Sequence, residues 1–190
     1  MRCIARVLLV VALIAPATCK EAKAQENDAW GSATAGVTLG PDTIRFALIE
    51  ARKNVSHHWG IGAGMAYLDT DAGSDELQLR LTATGTLRAP GKWSFEWRQM
   101  LSASSRDLTR FRSRLRAVRP GILGVDAISF RAFDELFIDL EGAGVLRNNV
   151  AAGFGLQLQA KSAIELYHVW VDSRAGRQSD YALLLLSLRF

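Results

Sequence analysis

The chain has 190 residues, 49% of them hydrophobic and 22% charged, with a formal net charge of +4 at pH 7. Four of the 23 basic residues (Arg2, Arg6, Lys20, Lys23) and one of the 19 acids (Glu21) fall within residues 1–24, so the rest is nearly neutral at +1 and charge gives no argument for a nucleic-acid partner. Cys3 and Cys19 lie in the same segment, which leaves the remainder without a disulfide or a thiolate metal site.

Residues 1–24 read as a signal peptide. Arg2 and Arg6 form its positive start, Val7 to Ala15 its apolar stretch, and Ala22-Lys23-Ala24 a small-x-small cleavage site before Gln25. The apolar run is too short for a membrane helix, which needs ~20 residues. A lipoprotein cut before Cys19 is the alternative, although Thr18 stands where Gly or Ala normally precedes a lipidated cysteine. Residues 25–190 are then a single domain.

That domain breaks into period-two segments punctuated by Gly, Pro, Asn and Asp, the pattern of strands and turns. Ten strands are expected, near 30–39, 42–53, 57–68, 75–88, 92–103, 107–119, 123–140, 146–160, 162–173 and 178–190. The second places Glu50 and Arg52 in phase with Ile44, Phe46 and Leu48, which calls for a bulge or for emergence from a membrane. The third carries Gly60, Gly62 and Gly64 on one face. The fourth separates Leu77, Leu79, Leu81, Ala83 and Leu87 from Gln78, Arg80, Thr82, Thr84, Thr86 and Arg88. In the sixth, Arg110, Arg112, Arg114 and Arg116 share a face. The seventh puts Asp134 in phase with Ile128 and Phe130, a second irregularity of the same kind. In the last, Ala182, Leu184, Leu186, Leu188 and Phe190 alternate up to an aromatic carboxyl terminus, a membrane-insertion signature of outer-membrane barrels.

The expected fold is therefore all-β: a transmembrane antiparallel up-and-down barrel of about ten strands, with eight or twelve as alternatives. Tight links after even strands and longer polar links after most odd ones match short periplasmic turns and longer outer loops. Gly40-Pro41 is the exception. Trp30, Trp59, Trp93 and Phe190 at one end, with Tyr67 and Trp170 at the other, suggest two interfacial girdles; scattered core aromatics are the alternative. A soluble periplasmic barrel is the rival fold, and it would invert the faces.

Each Arg of strand six would cost ~2–4 kcal/mol against lipid near the midplane, so that face is assigned to the lumen. A lumen polar ladder follows: Glu96 and Arg98, then Arg110, Arg112, Arg114 and Arg116, then Arg131, Glu135 and Asp139. It reads either as Arg–carboxylate pairs that stiffen the barrel or as an anion-attracting conduit or site. Small lumen residues (Gly60, Gly62, Gly64, Ala151, Gly153, Gly155) make room for long arginines, allow curvature, or leave a cavity. His57 and His58 sit at a turn and point to opposite sides, a poor metal site. His168 is the one catalytic candidate: it shares the outward parity of Ile164, Leu166 and Trp170, near Asp172 and Ser173, where a lipid hydrolase would need a base. No metal or cofactor is expected.

Glu96-Trp97-Arg98, the run Arg110-Phe111-Arg112-Ser113-Arg114-Leu115-Arg116, and Asp134-Glu135-Leu136-Phe137 together resemble a bacterial outer-membrane family called domain of unknown function 2490. Arg147-Asn148-Asn149 departs from the Asn-Arg order of that family. The resemblance implies a barrel in the outer membrane of a Gram-negative bacterium and supplies no activity. The expected role is structural or ligand-interacting, with a porin-like narrow anion channel or solute transporter and a lipid-modifying hydrolase as alternatives. The expected partners are outer-membrane lipids and, through the C-terminal strand, the barrel-assembly machinery.

Overall fold

A computed structural model describes residues 29–39, 44–70, 75–105, 109–142, 144–174, 176 and 178–189. The expected signal segment and Phe190 lie outside these residues. Ten strands among them close a barrel: β1 (Ala29–Leu39), β2 (Ile44–Asn54), β3 (Trp59–Thr70), β4 (Glu76–Ala89), β5 (Trp93–Ser104), β6 (Thr109–Pro120), β7 (Ile128–Asp139), β8 (Gly144–Gln159), β9 (Ser162–Ser173) and β10 (Gln178–Arg189). Each strand pairs antiparallel with its sequence neighbours, and β10 closes on β1 through Ser32–Leu39 against Ala182–Arg189. Closure removes sheet edges and satisfies the strands' backbone groups without water, the condition for crossing lipid. Both chain ends emerge at one end of the barrel, here the terminal end; the opposite end is the distal end.

One link departs from expectation: those after β2, β4 and β8 are 55–58, 90–92 and 160–161, no longer than those at the other end, but the one after β6 is not tight. At the distal end the links span residues 40–43, 71–75, 105–108, 140–143 and 174–177, all short. The longest link, 121–127, lies at the terminal end. There β7 begins at Ile128 rather than near 123, because Gly121 and Leu123 take left-handed backbone conformations (φ 71° and 54°) and Ile122–Gly124 form a 3-10 turn.

The faces sort as a membrane barrel requires. Outward positions include Leu79, Leu81 and Leu87, each about 60% exposed, with Ile61, Leu115, Phe154 and Leu166 more than half exposed. So wide an apolar belt is far beyond what a monomer keeps against water. The inverted faces of a soluble barrel are excluded. An aromatic arc at the terminal end joins Trp59 edge-on to Trp97 (5.9 Å) and Trp93 to Phe130 (6.3 Å), while Tyr67 and Trp170 face outward toward the distal end. Trp30 is the departure: it faces the lumen.

Neither irregular strand is explained by a bulge. β2 keeps continuous register with β1 and β3 through Glu50, so Ile44, Phe46 and Leu48 face the lumen together with Glu50 and Arg52. In β7 the register shift lies at Phe137/Ile138, beyond Asp134. Asp134 faces outward between Leu115 and Val150, in mid-strand, with no side-chain hydrogen bond or ion pair among the described residues. An outward carboxylate at this depth is destabilising, though less so than Arg or Lys. Asp134→Leu is expected to stabilise the barrel by about 1 kcal/mol in guanidinium unfolding from lipid vesicles. A fall in stability would mean that a partner holds the carboxylate.

Candidate functional site: the charged lumen

The lumen is built from the inward parity of all ten strands, and its charges form three connected groups toward the terminal end. In the first, Glu50 is 3% exposed and accepts from Thr82 Oγ1 (2.6 Å), from Arg52 Nη2 (2.9 Å), and from Arg98 Nη2 at both oxygens (2.7 and 2.6 Å). In the second, Arg114 Nη2 donates to Glu96 Oε1 (3.0 Å). In the third, Glu165 accepts from Arg116 Nη2 (2.7 Å), from Tyr167 Oη (2.6 Å) and from Arg131 Nη1. Gly62 and Gly155 make room: a Cβ on Gly62 would lie 2.6 Å from Thr82 Oγ1 and 2.9 Å from Glu50 Oε1, and one on Gly155 would enter the Arg131 guanidinium. Below these groups Trp30 stands between two cations, with Arg52 at 5.2 Å and Arg189 at 5.0 Å from its ring. Ion pairs and indole together form a floor across the terminal end.

Toward the distal end the lumen carries Arg80, Arg110, Arg112 and Arg147 with the carboxylates Glu135 and, at the rim, Glu76 and Asp139. Arg112 Nη2 donates to Glu135 Oε1 (2.8 Å), and Arg110 lies 3.8 Å from Glu76 at the rim. Arg80, 9% exposed, gives both Nε and Nη2 to the Gln78 side-chain oxygen (3.1 and 2.7 Å). Arg147 lies over the Phe137 ring at 4.1 Å. A cavity of about 410 Å³ runs along the whole lumen, from Thr38 and Ile44 at the distal end to Trp30 and Arg189 at the terminal end, lined by ten arginines and Lys161 against three carboxylates, Glu96, Glu135 and Glu165, among the described residues. The buried Nε atoms of Arg52, Arg98, Arg112, Arg114 and Arg116 have no hydrogen-bond partner among the described residues. Positive charge and unused donors suit this space to an anion.

Of the ladder residues read from sequence, Glu96, Arg98, Arg110, Arg112, Arg114, Arg116, Arg131 and Glu135 all line the cavity. Asp139 ends β7 at the distal rim, opposite Arg110, where its carboxylate accepts from the Glu141 N–H (2.9 Å). Leu184 and Leu186 alternate on β10 with the lumen-lining Leu183, Leu185, Ser187 and Arg189, which places them outside; Leu188 has the same parity but, at the terminal rim, also borders the cavity. Sequence reasoning missed Glu50, Arg52 and Glu165 as members of the web. The parity of Glu165, opposite to Ile164 and Leu166, was the available signal. The partners of Glu165 could not be read, since Arg131 and Arg116 lie 34 and 49 residues away.

His168 is outward, as its parity suggests. Its Nε2 lies 3.4 Å from Asp180 Oδ2 and its ring is edge-on to Trp170 at 4.5 Å. In register it stands between Ala152 and Ala182. Ser173 and Ser179 have the opposite, inward parity of β9 and β10, so these strands bring no serine to His168 and no triad assembles there. His58 sits exposed in the 55–58 link, its Nδ1 3.2 Å from the Thr86 carbonyl.

A closed antiparallel barrel with an apolar exterior and a charged interior defines the class of transmembrane β-barrel proteins. Within that class, the chain belongs to the family described as "Protein of unknown function (DUF2490)", which matches residues 48–179. No curated protein matches its sequence. Among solved structures it is similar to the β-domain of the Bordetella autotransporter BrkA, with a TM-score of 0.51 and 12% identity over 87% of this chain and 99% of that one. It is also similar to an outer membrane channel from Pseudomonas putida, with a TM-score of 0.51 and 8% identity over 93% and 100%. At such identities the likeness is one of fold.

Proposed function

We propose that the protein resides in the bacterial outer membrane with its distal end outward and binds a small anionic ligand in its lumen, above a floor of ion pairs. The observation that carries this reading is the cavity lining, ten arginines and a lysine against three carboxylates. The apolar exterior and the outer-membrane origin of the similar structures support the location. Lipids then contact the belt of exposed leucines, and the β10 strand presents Leu184, Leu186 and Leu188 to the barrel-assembly machinery during insertion.

Binding is tested by titration calorimetry of the protein in nonionic detergent with inorganic phosphate and with sulfate. Saturable binding that weakens with added chloride is expected, as for any site built on exposed or half-buried charge. Arg112→Gln should weaken it at least tenfold, the effect of losing one charge-assisted hydrogen bond of about 1.5–3 kcal/mol. Absence of saturable binding of either anion would overturn the reading.

A narrow anion channel is the second reading, favoured by a cavity lining that reaches from Thr38 and Ile44 at the distal end to Trp30 and Arg189 at the terminal end. Planar bilayers separate the two. Wild-type protein is expected to be electrically silent, because the Glu50 and Glu165 groups bridge the lumen between non-adjacent strands. Discrete anion-selective events that diminish in Arg114→Glu would favour the channel.

A further inference from the structure

We infer that the distal half of the lumen is built for an anionic amphiphile, a single-chain molecule whose anionic head meets arginines while its apolar chain lies on the opposite wall. The inference deepens the lumen-binding reading and rests on it. Its basis is that the two walls differ in chemistry. On β2 and β10, Ile44, Phe46, Leu48, Leu183 and Leu185 all line the cavity. All five are half-buried, in contrast with Met100 and Phe137 (4% and 6% exposed) on the far wall; Leu183 and Leu185 also pack against the cluster of Phe133, Ala151, Tyr167 and Val169, which leaves the β2 side chains as the open part of the wall. Between them on β1, Gly36 has no side chain, and Phe46 and Leu185 lie across it: a Cβ there would sit 2.7 Å from Leu185 Cδ2 and deeper still in the Phe46 ring. Gly36 thus lets two apolar side chains from different strands meet and makes the wall continuous.

A charged, water-filled lumen has no use for such a wall, since apolar side chains held against water forfeit the stabilisation that burial gives. The facing wall is the complement. Arg80, Arg112 and Arg147 gather around Glu135, which accepts from Arg112; Arg80 has Glu50 as a second carboxylate neighbour, and its own hydrogen bonds go to Gln78. The guanidinium of Arg112 is among the strongest charged neighbours of both Arg80 and Arg147, and their proximity is repulsive. An anion placed among the three would relieve that repulsion and take up the unused Arg112 Nε donor. Its chain would then lie along the half-exposed Ile44, Phe46 and Leu48 of β2. The lumen cavity as a whole, about 410 Å³, of which the distal half is a part, lies within the size range of small-molecule sites, roughly 300–1,000 Å³.

The test uses the full barrel in lipid nanodiscs, with empty nanodiscs as the baseline, and three water-soluble probes: octyl phosphate, inorganic phosphate and octyltrimethylammonium. Octyl phosphate is expected to bind at least tenfold more tightly than inorganic phosphate, and the ammonium probe to show no binding above baseline. Phe46→Ser should bring octyl phosphate down to the affinity of inorganic phosphate while leaving the latter unchanged, whereas Phe46→Leu should preserve the difference. Arg80→Gln combined with Arg147→Gln should weaken both anions. Heat-modifiable migration in gels verifies that each variant folds. Equal affinity for the two phosphates would overturn the amphiphile and leave the simple anion site standing. Binding of the ammonium probe as tight as that of octyl phosphate would reduce the site to unselective apolar uptake and also overturn the inference. Binding of neither phosphate would remove the lumen-binding reading itself.

Discussion

Glu50→Gln is expected to destabilise the barrel by about 3–5 kcal/mol, the usual consequence of removing one partner from a buried charge pair. Gln keeps the volume and one acceptor, so Thr82 can still donate, but it removes the charge that compensates Arg98 and Arg52. Arg98 is the more exposed to this loss. Its side chain is 8% exposed, its Nη2 spans both carboxylate oxygens, and its Nε already lacks a partner. Arg52 keeps the face of Trp30 at 5.2 Å and suffers less. A double replacement, Glu50→Leu with Arg98→Met, should recover much of the loss, because well-packed apolar groups often match a buried ion pair in stability. Guanidinium unfolding from vesicles measures both. A single-variant loss below about 1 kcal/mol would show that water solvates the pair and that no closed floor exists at this level.

Glu50 also shows where the sequence was legible and where it was not. In β4 to β6 the two faces differ sharply, Leu against Arg and Thr, and parity alone assigns eight of the lining residues named above to the lumen. β2 defeats the same rule, because both of its faces carry apolar residues. Outward stand Ala47, Ile49 and Ala51; inward stand Ile44, Phe46 and Leu48, followed by Glu50 and Arg52. A rule that equates apolar with lipid must then break the strand to place Glu50, although the register is unbroken. Trp30 misleads for the same reason: interfacial indoles are common, and only the closure of β1 against β2 and β10 shows that this one meets Arg52 and Arg189 inside. The strand count, the apolar belt and the Arg stripe follow from local pattern. The floor and the two-sided vestibule depend on contacts across the barrel that no local pattern encodes.

The floor has a structural dependency that predicts the second large effect. Gly153 pairs with Tyr167, and a Cβ on Gly153 would lie 2.7 Å from the Tyr167 Cα and 2.9 Å from the Leu166 carbonyl carbon, with the Leu166 oxygen closer still. These are backbone atoms of β9 and cannot rotate away. Gly153→Ala must therefore push β8 and β9 apart. The strain falls on Tyr167, 2% exposed, whose ring is edge-on to Phe133 at 5.2 Å and whose hydroxyl donates to Glu165 and accepts from Arg116. One added methyl thus reaches both the small apolar cluster of Phe133, Ala151, Tyr167 and Val169 and the Glu165 ion-pair group. The expected loss is about 3 kcal/mol, the upper part of the range for overpacking. Gly155→Ala is the control. Its Cβ would meet the Arg131 guanidinium, the far end of a flexible side chain, so about 1 kcal/mol is expected there. Unfolding midpoints of the two variants in the same vesicles decide the matter. If Gly155→Ala costs as much as Gly153→Ala, the close approach of β8 to β9 is not what holds Tyr167 and the floor beneath the vestibule in place.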